Sequence, residues 1–305
     1  MKTELRSHTD AALVARGGLA DWLELLRPRI ATMVVLAALI GGVLAGGFGQ
    51  LAACIEAAFY IALVTGAASV FNQVLERETD SRMERTRNRP LPAGRLGAGE
   101  ALVFGLLLGA VGVAGLAVRF QVLSAFLALA TLCVYVIVYT PLKRISTLNT
   151  AVGAVPGAAP PLLGYVALAD QTGPWAWALF SVIFAWQFPH FMAIAWLHRE
   201  DYARAGMRMI PAMPNSRGVA GTQAVIYSVA LIPVSLLPFL HGMAGPLYGV
   251  MALVLGLAYL VASIRFARRE DRPRARGLML VSIIYLPLLL GGILIDPAVR
   301  AGLLA

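Results

Sequence analysis

Asn72, Glu76 and Asp80 recur every four residues where a long apolar stretch gives way to a charged loop. On a helix that spacing stacks the three side chains on one side. Oxygen ligands so arranged suit a hard divalent cation such as Mg²⁺. Arg82, Arg85, Arg87 and Arg89 follow at once, and guanidinium groups are matched to phosphate. A carboxylate column beside an arginine-rich loop points to a metal-bridged pyrophosphate at a membrane surface. The competing reading is a solvated helix end whose carboxylates pair with Arg77 and Arg85. Scarcity argues against it: the chain has 16 acidic residues in 305, yet Glu76, Glu78, Asp80 and Glu84 fall within nine positions.

The elements that must carry this column are membrane helices. The chain is 59% hydrophobic and 13% charged, with mean hydropathy +0.76, about half the charge of a soluble domain. Apolar blocks long enough to cross a bilayer lie at about 29–47, 51–75, 99–118, 122–142, 150–169, 174–196, 218–240, 245–264 and 277–295. Without water in the hydrocarbon, each must be helical. With the N-terminus inside, 23 of the 25 Lys and Arg fall on the cytoplasmic side, leaving Arg119 and Arg300 outside. That distribution predicts N-in, C-out. It also accounts for the net charge of +9 without nucleic acid. The first twenty residues lack the apolar core of a signal peptide and read as a cytoplasmic tail. Cys54 and Cys133 sit inside spans without metal or disulfide spacing and read as packing residues.

Other features are weaker alone. Arg27-Pro28-Arg29 reads as a headgroup anchor before the first span, and Gly105, Gly109, Gly112 and Gly115 as a close helix contact. Tyr135 and Tyr139 share a face above Lys143-Arg144, as interfacial anchors do. The fifth span carries Pro156, Pro160 and Pro161; its freed backbone groups require burial against protein or a wet cavity. Gln187 and His190 share a face inside the sixth span, where polar groups usually face a functional interior. Of four histidines, only His190 and His198 lie near the expected site; His8 is in the tail and His241 on the outer side. Glu200 and Asp201 are equally well read as a solvated loop.

Taken together, Asn72-x₃-Glu76-x₃-Asp80-x₃-Glu84-Arg85-Thr86-x₂-Arg89-Pro90-Leu91-Pro92 resembles the first signature of the UbiA-type intramembrane prenyltransferases. The stretches YTPLKR (139–144), GAVPGAAPPLLGY (153–165), WQFPHF (186–191) and EDYARAG (200–206) resemble the branch that acts on protoheme IX. The likeness covers residues 27–214 in order. It departs from the family in having Glu76 where aspartate is usual, and His198 and Tyr202 where a second motif has two aspartates.

The resemblance implies an all-α polytopic membrane protein of about nine transmembrane helices around a central cleft open to the cytoplasmic side. It implies a single domain at 29–296, between a tail at 1–28 and an outer-side tail at 297–305. The reaction it implies is farnesyl transfer from farnesyl diphosphate to a vinyl group of heme B, giving a hydroxyethylfarnesyl heme (heme O) and diphosphate. In that scheme Asn72, Glu76 and Asp80 hold Mg²⁺, with Asp201 as a further ligand, and Tyr139 faces an allylic cation. Arg85, Arg89, Lys143 and Arg144 meet the diphosphate, and Trp186, His190 and Tyr202 meet the heme, which is a substrate and not a cofactor. The implied setting is the cytoplasmic (inner) membrane. The lipid bilayer is a partner there, and a heme A synthase or terminal oxidase assembly stands downstream. Two other readings stay open: a prenyltransferase for a quinone-precursor aromatic acid, and a non-enzymatic transporter or heme-binding scaffold.

Overall fold

In hydrocarbon the backbone must satisfy itself, and the apolar blocks answer with helices. The computed structural model describes residues 17–304. They form α1 (Leu19–Leu25), α2 (Pro28–Gly46), α3 (Leu51–Leu75), α4 (Arg77–Ser81), α5 (Ala98–Arg119), α6 (Val122–Cys133), α7 (Thr140–Ile145), α8 (Asn149–Ala169), α9 (Pro174–Leu197), α10 (Arg199–Arg204), α11 (Val219–Leu240), α12 (Pro246–Arg268), α13 (Arg272–Ile295) and α14 (Pro297–Leu304). A π-helical turn, Val134–Tyr139, joins α6 to α7 in one rod. Among the described residues nine helices are long and apolar enough to cross a membrane, as the apolar blocks require. Two ends differ: α12 and α13 run on to Arg268 and back to Arg272, because arginine-bearing turns continue as helix past the hydrocarbon. The stretch read as an outer tail forms α14. The expected tail before residue 17 and His8 lie outside the described residues.

Two apolar cores share a wall. One gathers α9, α11, α12 and α13, the other α3, α5 and α6, and both take residues from α2 and α8. The prolines of α8 do not break it; it runs unbroken from Asn149 to Ala169, and 67% of its apolar window is buried, against 17% for the α6–α7 rod. That agrees with the requirement that a proline-rich span be sheltered by protein. The α2–α8 contact is backbone on backbone. A Cβ on Gly41 would sit 2.0 Å from the Pro161 carbonyl oxygen, and one on Gly164 would sit 1.9 Å from that of Ala38. Gly164→Val is therefore expected to cost at least about 1–3 kcal/mol through overpacking, read as a lower thermal midpoint in detergent. The glycine stripe of α5 packs on α3 as expected, Gly112 and Gly115 lying against Tyr60.

At the other face Asp296 is fully buried and accepts backbone N–H groups of Gly245 and Tyr248 at the start of α12, and of Ala298 and Val299 in α14. Burial alone would raise its pKa, but these four donors hold it below the usual carboxylate value. One carboxylate thereby caps two helices. Cys54 and Cys133 are free thiols.

Candidate functional site

The column of Asn72, Glu76 and Asp80 survives a break in its helix. α3 ends at Leu75 and α4 starts at Arg77, with Glu76 between them outside helical geometry. Glu76 N–H still donates to the Asn72 carbonyl at 2.9 Å, and Asp80 N–H to that of Glu76 at 2.7 Å. The four-residue stacking therefore continues across the joint. All three side chains are buried, at 0%, 4% and 1% exposure. This rules out a solvated helix end. Glu78 and Glu84, by contrast, are exposed.

Each member of the column is answered by a cation. Asp80 Oδ2 is 2.7 Å from Arg89 Nη1. Glu76 lies against Lys143 of α7: Oε2 accepts at 3.1 Å, while Oε1, 2.9 Å from the same nitrogen, is not aligned to accept and is buried without a hydrogen-bond partner. Asn72 Oδ1 accepts from Arg27 Nη2 at 3.0 Å, and its amide nitrogen donates to Thr140 Oγ1 at 3.1 Å. Arg144 donates to the Thr79 hydroxyl. Arg89 keeps a cationic surround: burial and the neighbouring Arg27 lower its pKa, and Asp80 partly offsets them.

Arg27 corrects the sequence reading. It is no headgroup anchor but reaches the column from the chain just before α2, in a left-handed conformation (φ 49°) that is uncommon for any residue except glycine. Its Nε is buried without a partner. The π-helical turn is a second feature hidden in the sequence. Pro141 has no N–H to give the residue four before it, and the Thr140 N–H and hydroxyl both go to the Tyr135 carbonyl. π-Turns recur at functional sites. This one points the Thr140 hydroxyl at Asn72 and sets the Tyr135 and Tyr139 rings 5.1 Å apart, with Lys143 Nζ 4.6 Å from the Tyr139 ring centre.

The loops after α3, α7 and α9 close on one another. Met83, Ala205 and Met207 form a small core with Tyr202, Arg85 donates to the Tyr202 hydroxyl at 3.3 Å, and Arg208 N–H donates to the Lys143 carbonyl at 2.7 Å. Asp201 accepts the Glu84 backbone N–H at 3.4 Å and pairs with Arg204. Among the described residues no three His, Cys, Asp or Glu side chains gather as metal ligands, so Asp201 is not brought into one cluster with Glu76 and Asp80; its carboxylate ties the two loops instead. His198 stands between those loops: burial, then Arg85 and Arg272, lower its pKa against the pull of Asp201.

Gln187, Trp186 and His190 face elsewhere than the column. Gln187 is buried and donates to the Ala154 and Ile183 carbonyls at 3.1 Å. Trp186 stacks on His190 with ring centres 4.9 Å apart and donates to the Ser282 carbonyl at 2.8 Å. His190 Nδ1 is 2.7 Å from Ser282 Oγ. That hydroxyl already donates to the Met279 carbonyl at 2.6 Å, so Nδ1 is the donor and the Nε2 lone pair is left for another partner.

Below Arg27 an apolar cavity of about 120 Å³ runs between α2, α3, α6 and α8, past Ile61, Leu132 and Pro160. It is smaller than a usual ligand pocket of roughly 300 Å³ or more. A larger cavity, about 810 Å³, lies away from the column, beside Arg217 and the α12–α13 turn. The donor set fits a hard divalent cation: two carboxylates, one oxygen of them unpartnered, and an amide leave positions for phosphate and water.

Comparison with known proteins gives the family. The chain matches the UbiA prenyltransferase family over residues 34–285. It is 43% identical to the protoheme IX farnesyltransferase of Solibacter usitatus, over 90% of this chain and 98% of the relative. It is 40% identical to that of Koribacter versatilis, over 96% and 99%. Among solved structures, a digeranylgeranylglyceryl phosphate synthase superposes with TM-score 0.77 at 17% identity, covering 92% of this chain and 99% of that one. A UbiA homolog from Archaeoglobus fulgidus bound to DMAPP and Mg²⁺ gives 0.64 at 17%, covering 90% and 99%. The chain therefore belongs to the UbiA prenyltransferase family, on the branch of the relatives named protoheme IX farnesyltransferase.

Proposed function

We propose that this membrane prenyltransferase moves the farnesyl group of farnesyl diphosphate onto a vinyl group of heme B, releasing diphosphate and forming a hydroxyethylfarnesyl heme. The observation that carries the reading is the mouth at which Asn72, Glu76 and Asp80 meet Arg27, Lys143 and Arg89, with Arg144 beside them on Thr79. It is supported by the relatives named protoheme IX farnesyltransferase and by the homolog bound to DMAPP and Mg²⁺. In this reading the mouth faces the cytoplasm from the inner membrane with the N-terminus inside, an orientation supported by the charge distribution of the loops.

Asn72, Glu76 and Asp80 would hold the Mg²⁺. When bound, the ion supplies neutralisation of charge growing on the diphosphate. The protein's own cations act on the same charge. Arg27, Arg85, Arg89, Lys143 and Arg144 meet the diphosphate oxygens as the allylic carbon–oxygen bond breaks and its electron pair leaves with diphosphate. Tyr139, whose face already accommodates Lys143, stabilises the allylic cation that remains. The vinyl π electrons then form the new carbon–carbon bond. The carbocation left on the porphyrin side chain takes the oxygen of water, which loses a proton, to give the hydroxyethyl carbon. Tyr202 lies at the mouth, whereas Trp186 and His190 offer a flat stacked pair and an available Nε2 deeper in α9, suited to a porphyrin.

Heme extraction from a host expressing the chain tests the reading. A farnesylated heme is expected, and its absence with continued prenylation of an aromatic acid would replace heme by a quinone precursor. In purified protein, chelation is expected to stop diphosphate release and added Mg²⁺ to restore it; full activity in chelator would remove the cation from the mechanism.

A further inference from the structure

The α12–α13 turn carries Arg265, Arg268, Arg269, Arg272, Arg274 and Arg276 against two acids. Both acids are committed locally. Glu270 accepts the Gly218 and Gly221 backbone N–H groups at 3.1 and 2.8 Å. Asp271 accepts the Arg274 N–H at 3.0 Å and pairs with the side chains of Arg274 and Arg269. The topology rule explains why arginines lie on this side, but it asks for no pocket. One is present: a cavity of about 430 Å³ between α12 and α13, with Arg265, Arg274 and the Arg274-paired Asp271 at its charged end and Ala258, Val261, Gly277 and Val281 along its apolar length.

Gly277 gives the groove its meaning. It lies inside α13, where glycine is a poorer helix former than alanine. A Cβ added there meets no atom within 4 Å. Unlike Gly41 or Gly164, no neighbouring backbone demands its small size. Its missing side chain leaves open space beside the exposed Ala258 and Val261 of α12.

We propose that this groove binds one anionic phospholipid from the leaflet facing the basic loops. Its phosphate lies between Arg265 and Arg274, and one acyl chain lies along α12 and α13 beside Gly277. Positive charge at the membrane surface selects the anionic headgroup, and the apolar cleft below it selects a lipid over free phosphate.

Native mass spectrometry of the delipidated full-length protein, titrated with phosphatidylglycerol, phosphatidylcholine or inorganic phosphate, tests this. One phosphatidylglycerol is expected to bind in preference to phosphatidylcholine and to resist displacement by phosphate. Arg265→Gln with Arg274→Gln is expected to weaken it roughly 30-fold, as two surface arginine attractions are lost. Gly277→Leu, which fills the groove and leaves every charge in place, is expected to lose the lipid as well. Arg268→Gln, on the other side of the turn, is expected to retain it. Equal binding of phosphatidylcholine, displacement by phosphate, or wild-type affinity in either groove variant would overturn the proposal. The lipid preference of the unmodified protein decides it even where a variant does not fold.

Discussion

Asp80→Asn is expected to lower turnover about 10²–10³-fold, the scale of losing one group that stabilises charge in a transition state, with little change in thermal stability. The asparagine keeps an oxygen for Arg89, which lies 2.7 Å from the Asp80 carboxylate, so the buried cation is not stranded. What goes is the negative charge, and with it the hold on a divalent ion. Diphosphate release from purified protein at saturating Mg²⁺ reads the effect. A variant that keeps wild-type turnover would take Asp80 out of the chemistry.

The second large effect concerns Glu76 and Lys143, whose side chains are 5% and 11% exposed. Lys143→Met leaves a buried carboxylate uncompensated and is expected to cost about 3–5 kcal/mol of stability, together with turnover. Glu76→Gln combined with Lys143→Met removes both charges, and most of the stability is expected to return. Turnover is not, because the pair sits where diphosphate and cation would meet. Thermal midpoints and diphosphate release on the two single variants and the double separate the roles. Recovered activity in the double variant would reduce the pair to a structural ion pair; an unchanged midpoint in Lys143→Met would deny its burial.

The spans and the column were legible because each rests on short-range regularity. Twenty apolar residues must be a helix in lipid, and a period of four on a helix must make a column. Even the break at Glu76 leaves that register intact. What stayed hidden depends on contacts far apart in the chain. Arg27 meets Asn72 across 45 positions, and nothing local distinguishes it from an anchor beside Pro28. The Thr140 hydroxyl of the π-helical turn is met by the Asn72 amide, 68 positions earlier in the chain. Gln187 and His190 stood out as polar groups within a membrane helix, but the partner of His190, Ser282, is some 90 residues away on α13. Glu78 and Glu84 sharpened the acidic signal although they face solvent. Asp201 was a carboxylate near the right loop whose bonds go to Arg204 and the Glu84 backbone.

Crystals of the protein grown with Mn²⁺ in place of Mg²⁺ and a non-hydrolysable farnesyl diphosphate analogue give the most direct measurement, the anomalous difference map at the manganese edge. The account predicts a peak within coordination distance of Glu76 and Asp80 that also touches diphosphate oxygens, with Arg89 and Lys143 on the same diphosphate. A diphosphate bound without a metal peak at that column, or a peak held by other residues, would contradict it.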